Sequence, residues 1–147
     1  MPHVETSMII RAPMARVAGL YRDYRNWPRL FPATIRGVRL ERAQGNRTEL
    51  LIDHREGTVP NVMTEVSPGR VDLWEARRRY NARFVNRFEA VPEGTRYTVA
   101  ADVEPKGAAK LLAPFLGGYI RTQIIRYVLA PMRVAAEESP VAPPGVP

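Results

Sequence analysis

Proton transfer near neutrality needs a group that titrates there, and the chain has only two histidines, His3 and His54. In "TELLIDH" Leu50 and Ile52 share one side of an expected strand, and His54 is the next residue on that side. Tyr97, in "TRYTVAADVE", points inward from another strand, so an imidazole and a phenol are expected to face each other as base and acid. Asn86 and Tyr80 from the strands, with Gln123 and Tyr127 from the last helix, complete the inward polar set. The plainer reading of His54 is a ring partly solvated where its strand leaves the core, beside Asp53 and Arg55.

Other chemistries lack their parts. There is no cysteine and no pair of histidines one helical turn apart, so neither thiolate nor zinc-protease ligation is expected. "LAPFLGGYIR" pairs glycines before a helix without a phosphate-loop lysine, and no Ser-His-Asp set can be assembled. No cofactor is expected.

The elements that position these groups follow from periodicity. Val4, Thr6, Met8 and Ile10 oppose Glu5, Ser7 and Arg11 in a first strand. A short helix follows Pro13, with Val17, Leu20, Tyr21 and Tyr24 on one side, and ends near Asp23. From Ile35 to Glu104 six strands alternate with turns such as "QGN", "SPG" and "PEG", an antiparallel meander. Ala82, Phe84, Asn86 and Phe88 share one face, as do Tyr97, Val99, Ala101 and Val103. A long helix is expected from about Tyr119 to Glu138, with Ile120, Gln123, Ile124, Tyr127, Val128 and Pro131 inward and Pro131 kinking or weakening it. Residues 1–138 read as one α+β domain and the proline-rich 139–147 as a disordered tail. The apolar face of such a sheet must be covered, and the terminal helix is the one element long enough to do so.

Composition narrows the setting. At 147 residues, 45% hydrophobic and 25% charged, with no apolar run near the roughly 18 residues of a membrane span and no secretion signal, a cytoplasmic protein is expected. Of 22 basic residues only Lys106 and Lys110 are lysine, and the net charge is +7. The arginines are scattered, which disfavours nucleic acid as a partner. "EARRRY" (Glu75–Tyr80) reads as a solvated basic strand end that guides an anionic ligand or carrier protein at most.

The order of elements, with "IIRAPMARVAGLYRDYRNWPRLFP" early and "GTRYTVAADVEPKG" before the last helix, resembles the START-like (SRPBCC) helix-grip superfamily. The nearest branch is that of polyketide cyclases/dehydrases and lipid-transport proteins. The resemblance implies a helix-grip (START/Bet v 1-like) fold: a curved seven-stranded antiparallel sheet wrapped around a long C-terminal helix, with two short helices after strand 1. Trp27, Pro28, Leu30, Phe31 and Pro32 match the family's "W-P-x-L-F" element, which closes one mouth of a cavity. By the same resemblance Trp27, Phe31, Leu50, Ile52, Tyr80, Phe84, Phe88, Tyr97, Val99, Ile120, Ile124 and Tyr127 line that cavity, and Asn86, His54 and Gln123 orient the ligand. Single-domain aromatase/cyclases carry a tyrosine after this element and an arginine in the fourth strand; Thr34 and Glu65 stand there instead.

Polyketide cyclisation or dehydration, with His54 and Tyr97 catalytic, is the leading expectation. A non-enzymatic carrier of a lipid, isoprenoid or quinone is the second, and an arginine-rich interaction module the third. The expected partners are a hydrophobic small molecule (polyketide, aromatic, isoprenoid or lipid) and an acyl carrier protein or anionic membrane surface, with the chain a monomer or homodimer.

Overall fold

The computed structural model describes residues 2–138. The expected tail, 139–147, lies outside the described residues. Strand β1 (His3–Ile10) leads through α1 (Met14–Arg22), a 3-10 turn (Tyr24–Asn26) and α2 (Trp27–Leu30) into β2 (Ile35–Gln44). Then come β3 (Arg47–His54), β4 (Gly57–Ser67), β5 (Arg70–Ala76), β6 (Tyr80–Val91) and β7 (Gly94–Pro105).

Each of β2 to β7 pairs antiparallel with the next, and β1 returns to β7, giving a seven-stranded sheet in the order β1-β7-β6-β5-β4-β3-β2. Short turns enforce the meander, since a two-residue connection can join only antiparallel neighbours. At Gly94 the turn is set by backbone crowding: its φ is 139°, and a Cβ there would stand 2.3 Å from the Ile10 carbonyl oxygen. That contact and the bond from Thr95 Oγ1 to the Ala12 carbonyl (2.8 Å) lock the β6–β7 corner onto the exit of β1.

After β7 a 3-10 stretch (Gly107–Phe115) runs into α3 (Leu116–Ile124), a π-helical turn (Ile125–Leu129) and α4 (Ala130–Glu137). Among the described residues no helix is long and apolar enough to cross a membrane. The expected weak point at Pro131 takes the form of the π turn just before it. Proline offers no N–H to the carbonyl four residues back, and a wider turn accommodates the loss. The extra residue also rotates the inward stripe. Beyond Ile124 the fully buried positions are Leu129, Met132 and Ala136, whereas Val128 and Pro131, expected inward, are half-buried.

The C-terminal end of this helix is pinned. The Arg16 guanidinium donates to the carbonyls of Ala136 (2.7 Å), Ala135 (3.1 Å) and Glu138 (3.1 Å), satisfying acceptors that a helix end leaves without partners. Glu137 in turn accepts from the Arg11 amide at 2.8 Å.

Candidate functional site

The packing layer between the sheet and the C-terminal helix has two unlike ends. At one end α1 and α2 close it with aromatic rings. Tyr21 lies 5.3 Å from Trp27 and 6.1 Å from Phe88 between ring centres, Phe88 stacks on Tyr97 at 4.6 Å, and Trp27 meets Phe31 at 6.2 Å. Trp27 gives its one donor to the Tyr21 carbonyl (2.8 Å), so the indole is buried without loss.

Asn86 ties this end together. Its amide donates to the Tyr21 hydroxyl (3.0 Å) and the Val71 carbonyl (3.2 Å), and its oxygen accepts from the Tyr97 hydroxyl (2.6 Å). Burial pushes the Tyr97 phenol well above its ordinary range and raises that of Tyr21. All three are neutral and engaged with one another.

The opposite end carries charge. Val71, Leu73 and Glu75 share one face of β5, and the pairing of Glu75 with Ala82 and Asn61 sets its carboxylate among inward side chains. Glu75 is buried and accepts from Arg77 Nε at 2.9 Å. A terminal guanidinium nitrogen of Arg77 lies 3.4 and 3.3 Å from the two ring nitrogens of His54. In the ring plane such equal spacing would drive it into Cε1, so it sits over the ring face. The guanidinium carbon is also 5.7 Å from the centre of the Tyr80 ring. Beside this group Asn61 donates to the Val59 carbonyl (3.1 Å), while its buried Oδ1 has no protein partner.

Burial raises the Glu75 pKa, against the pull of Arg77. His54 is driven down to about 4 by burial and then by the Arg77 charge, so at neutrality it is an uncharged imidazole. Tyr80 is pushed up to about 12 by burial and by the neighbouring Glu75. At pH 7 the charged end thus combines one fixed cation, one carboxylate with weakened acidity, a neutral imidazole and a phenol.

This arrangement corrects the expected pairing. His54 stands at the β3–β4 turn opposite Gly57, whereas Tyr97 pairs with Phe88, whose amide bonds Gly69 in the β4–β5 turn at the other end of the sheet. The two do not face each other. Trp27, Phe31, Asn86, Phe88 and Val99 belong with Tyr97 to the packed closed end; Leu50, Ile52 and Ile124 are buried as well. Tyr80, Phe84, Ile120, Gln123 and Tyr127 keep partial exposure. Phe84 and its β5 neighbour Leu73 lie mid-sheet, packed against the core, and both keep partial exposure.

Glu75, Arg77 and Asn61 are additions to the expected set. The period-two rule that located Asn86 also places Glu75 in line with Val71 and Leu73, and Asn61 between Val59 and Met63. Both were legible as polar residues in apolar rows, but the arginines after Glu75 masked the first as part of a surface run.

The chain matches the model of the family described as polyketide cyclase / dehydrase and lipid transport over residues 1–128. Among solved structures it is similar to the Zhui aromatase/cyclase from Streptomyces sp. R1128, with a TM-score of 0.74, 14% identity and 98% of each chain covered. It is also similar to StfQ, a di-domain ARO/CYC from the steffimycin biosynthetic pathway (TM-score 0.75, 15% identity, 92% of this chain and 50% of that one). A START superfamily protein from Mycobacterium smegmatis has a TM-score of 0.72 at 12% identity, with 92% and 97% covered. The chain spans about half the length of StfQ and nearly all of the other two. No curated protein sequence matches it. At these identities the structural likeness is one of fold.

Proposed function

The chain belongs to the polyketide cyclase / dehydrase and lipid transport family, and from that premise we propose that it holds an apolar, carbonyl-bearing small molecule between sheet and C-terminal helix and acts on it through Glu75 and Arg77. The observation that carries this reading is the buried Glu75–Arg77 pair at the charged end of a mostly apolar interior. A buried carboxylate is costly to keep, and a base with a raised pKa is well matched to removing a proton next to a carbonyl.

In the proposed reaction the Glu75 carboxylate takes a proton from the carbon between two carbonyls. The electron pair moves onto the carbonyl oxygen, and the Arg77 guanidinium holds the resulting enolate with donors not given to Glu75. The enolate carbon attacks a second carbonyl of the same molecule, forming the ring bond. The proton on Glu75 passes to the new alkoxide; Glu75 then takes a second proton from the same carbon and returns it to the departing hydroxyl, which leaves as water as the ring double bond forms. Neutral His54 and the Tyr80 phenol supply one acceptor and one donor at the rim. Asn61 Oδ1 accepts an enol or phenol hydroxyl.

The test is turnover of a linear poly-β-ketone thioester by wild type, Glu75→Gln and Tyr97→Phe. The expected outcome is cyclised product from wild type, a drop of about 10²- to 10⁴-fold in kcat for Glu75→Gln, and activity of folded Tyr97→Phe near wild type. Equal turnover by wild type and Glu75→Gln would remove the carboxylate from the chemistry. A wild-type protein without turnover, from which organic extraction recovers a bound lipid or quinone, would establish the carrier reading instead. The exposed apolar side chains of the Gly107–Phe115 stretch favour that second reading.

A further inference from the structure

The three most exposed large apolar side chains of the described residues lie close together: Leu111 is 80% exposed, Phe115 79% and Tyr119 62%, with Leu112 at 56% between them. Residues three apart eclipse in a 3-10 stretch, so Leu112 and Phe115 share one side, and the α-helical spacing of four carries that side on to Tyr119, with Leu111 next to Leu112. Isolated exposed leucines need no explanation, but a contiguous row of this size marks a surface that meets something.

Its place in the fold is the charged end. The stretch starts two residues after Pro105, which pairs with Tyr80. The Lys106 amide bonds the Arg79 carbonyl and its ammonium bonds the Arg77 carbonyl, both at 2.8 Å. Exposed Arg78 and Arg79 therefore stand at its base. Both lysines of the chain, Lys106 and Lys110, lie here, and no acidic residue occurs between Glu104 and Glu137. Exposed Arg121 and Arg126 continue the positive series along the helix. Glu56, in the β3–β4 turn, and Glu104 are the acidic residues on the neighbouring rim.

We propose that this stretch is a docking surface for an anionic lipid bilayer, with Leu111, Leu112, Phe115 and Tyr119 entering the headgroup boundary and Lys106, Lys110, Arg78 and Arg79 meeting lipid phosphates. An apolar row rimmed by cations of a single sign is what such a boundary accommodates. A second copy is the poorer occupant, because a two-fold contact would set the same cations against each other. A protein partner is also disfavoured. A bilayer takes up exposed leucines and aromatic rings beside lysines and arginines without a complementary pocket, which a protein partner would have to supply. Docking in this position would turn the Glu75–Arg77 end of the molecule toward the lipid phase. The surface does not depend on the chemistry proposed for Glu75.

The experiment is flotation of the full chain with vesicles of phosphatidylcholine alone and of phosphatidylcholine with one quarter phosphatidylglycerol. Leu111→Asp/Phe115→Asp, Lys106→Glu/Lys110→Glu and the control Val66→Asp, an exposed valine in β4, are compared with wild type. The expected result is flotation of wild type and Val66→Asp with the anionic vesicles only, weakening about 10-fold or more between low and high salt as screening sets in. Both double variants should lose at least about 10-fold in partitioning. Because all four altered side chains are exposed, unchanged thermal melts will show that the variants fold. Failure of folded wild type to float, or flotation indifferent to Leu111→Asp/Phe115→Asp, overturns the proposal. Self-association in sedimentation velocity that the same variant abolishes, without flotation, also overturns it in favour of a second copy. Glu75→Gln should float like wild type whatever its turnover, which separates failure here from failure of the catalytic reading.

Discussion

Glu75 is held where a carboxylate is expensive. Its side chain is 7% exposed and its compensation is one guanidinium. Removing one member of such a pair strands the other, while removing both leaves an ordinary apolar site. Glu75→Leu should therefore lower stability by about 3 kcal/mol, and Glu75→Leu/Arg77→Met should recover most of that, as read by urea unfolding. His54 has a different signature. Its pKa falls from 6.5 in the unfolded chain to about 4 in the fold, so between those values the unfolded state binds more protons. Stability should fall as the pH is lowered from 6.5 towards 4, and His54→Gln should flatten that part of the profile in thermal melts. At the closed end, Tyr97→Phe leaves the Asn86 oxygen buried without its donor and should cost about 1–3 kcal/mol at any pH between 5 and 9.

At the scale of elements, the helix gripped by the sheet is fixed at one end. Arg16 reaches from α1 to three carbonyls at its last turn. Arg16→Met keeps much of the aliphatic stem but removes those donors; a loss of about 2 kcal/mol is expected, with amide exchange quickening first in α4. Gly94→Ala meets carbonyl and amide atoms of the β1 exit in a conformation that only glycine adopts freely, so it should cost more than Arg16→Met in the same measurement. Strand faces were readable along the chain because side-chain direction in a strand is a local property of parity. Asn86 was put on the right face for that reason. Its role was not readable, because its partners Tyr21 and Val71 are 65 and 15 residues away. The π turn escaped for a related reason: a constant helical period carried past Ile124 assigns Val128 and Pro131 to the stripe that Leu129 and Met132 occupy.

At the scale of the molecule, the order of the strands and of the helix that covers them was legible, since a meander with one long terminal helix has few ways to cover its face. The location of the charged end was less so. It depends on three connections converging: the β3–β4 turn, the β5–β6 turn and the start of the 3-10 stretch. Their meeting is visible in the bonds from Lys106 to the β5–β6 turn and in the contact of Arg77 with His54. The outer face shows why the abundance of arginine is a poor guide to partners. Asp72 accepts from Arg70 at 2.8 and 3.0 Å and from Arg83 at 2.8 Å, so part of the basic surplus is already engaged within the sheet.

The pairing of β1 with β7 also sets an order of assembly. Strands β2 to β7 can zip as successive hairpins, each closing a short loop, whereas β1 must wait for a partner nearly a hundred residues downstream, with His3 meeting Asp102. Closing so long a loop is entropically slower than extending a hairpin, which puts the docking of β1 late in folding. During synthesis the first strand made is thus the last one satisfied. Until β7 emerges, its inward side chains Val4, Met8 and Ile10 have no sheet to join, an interval in which an unpaired apolar strand is open to chaperones and to aggregation.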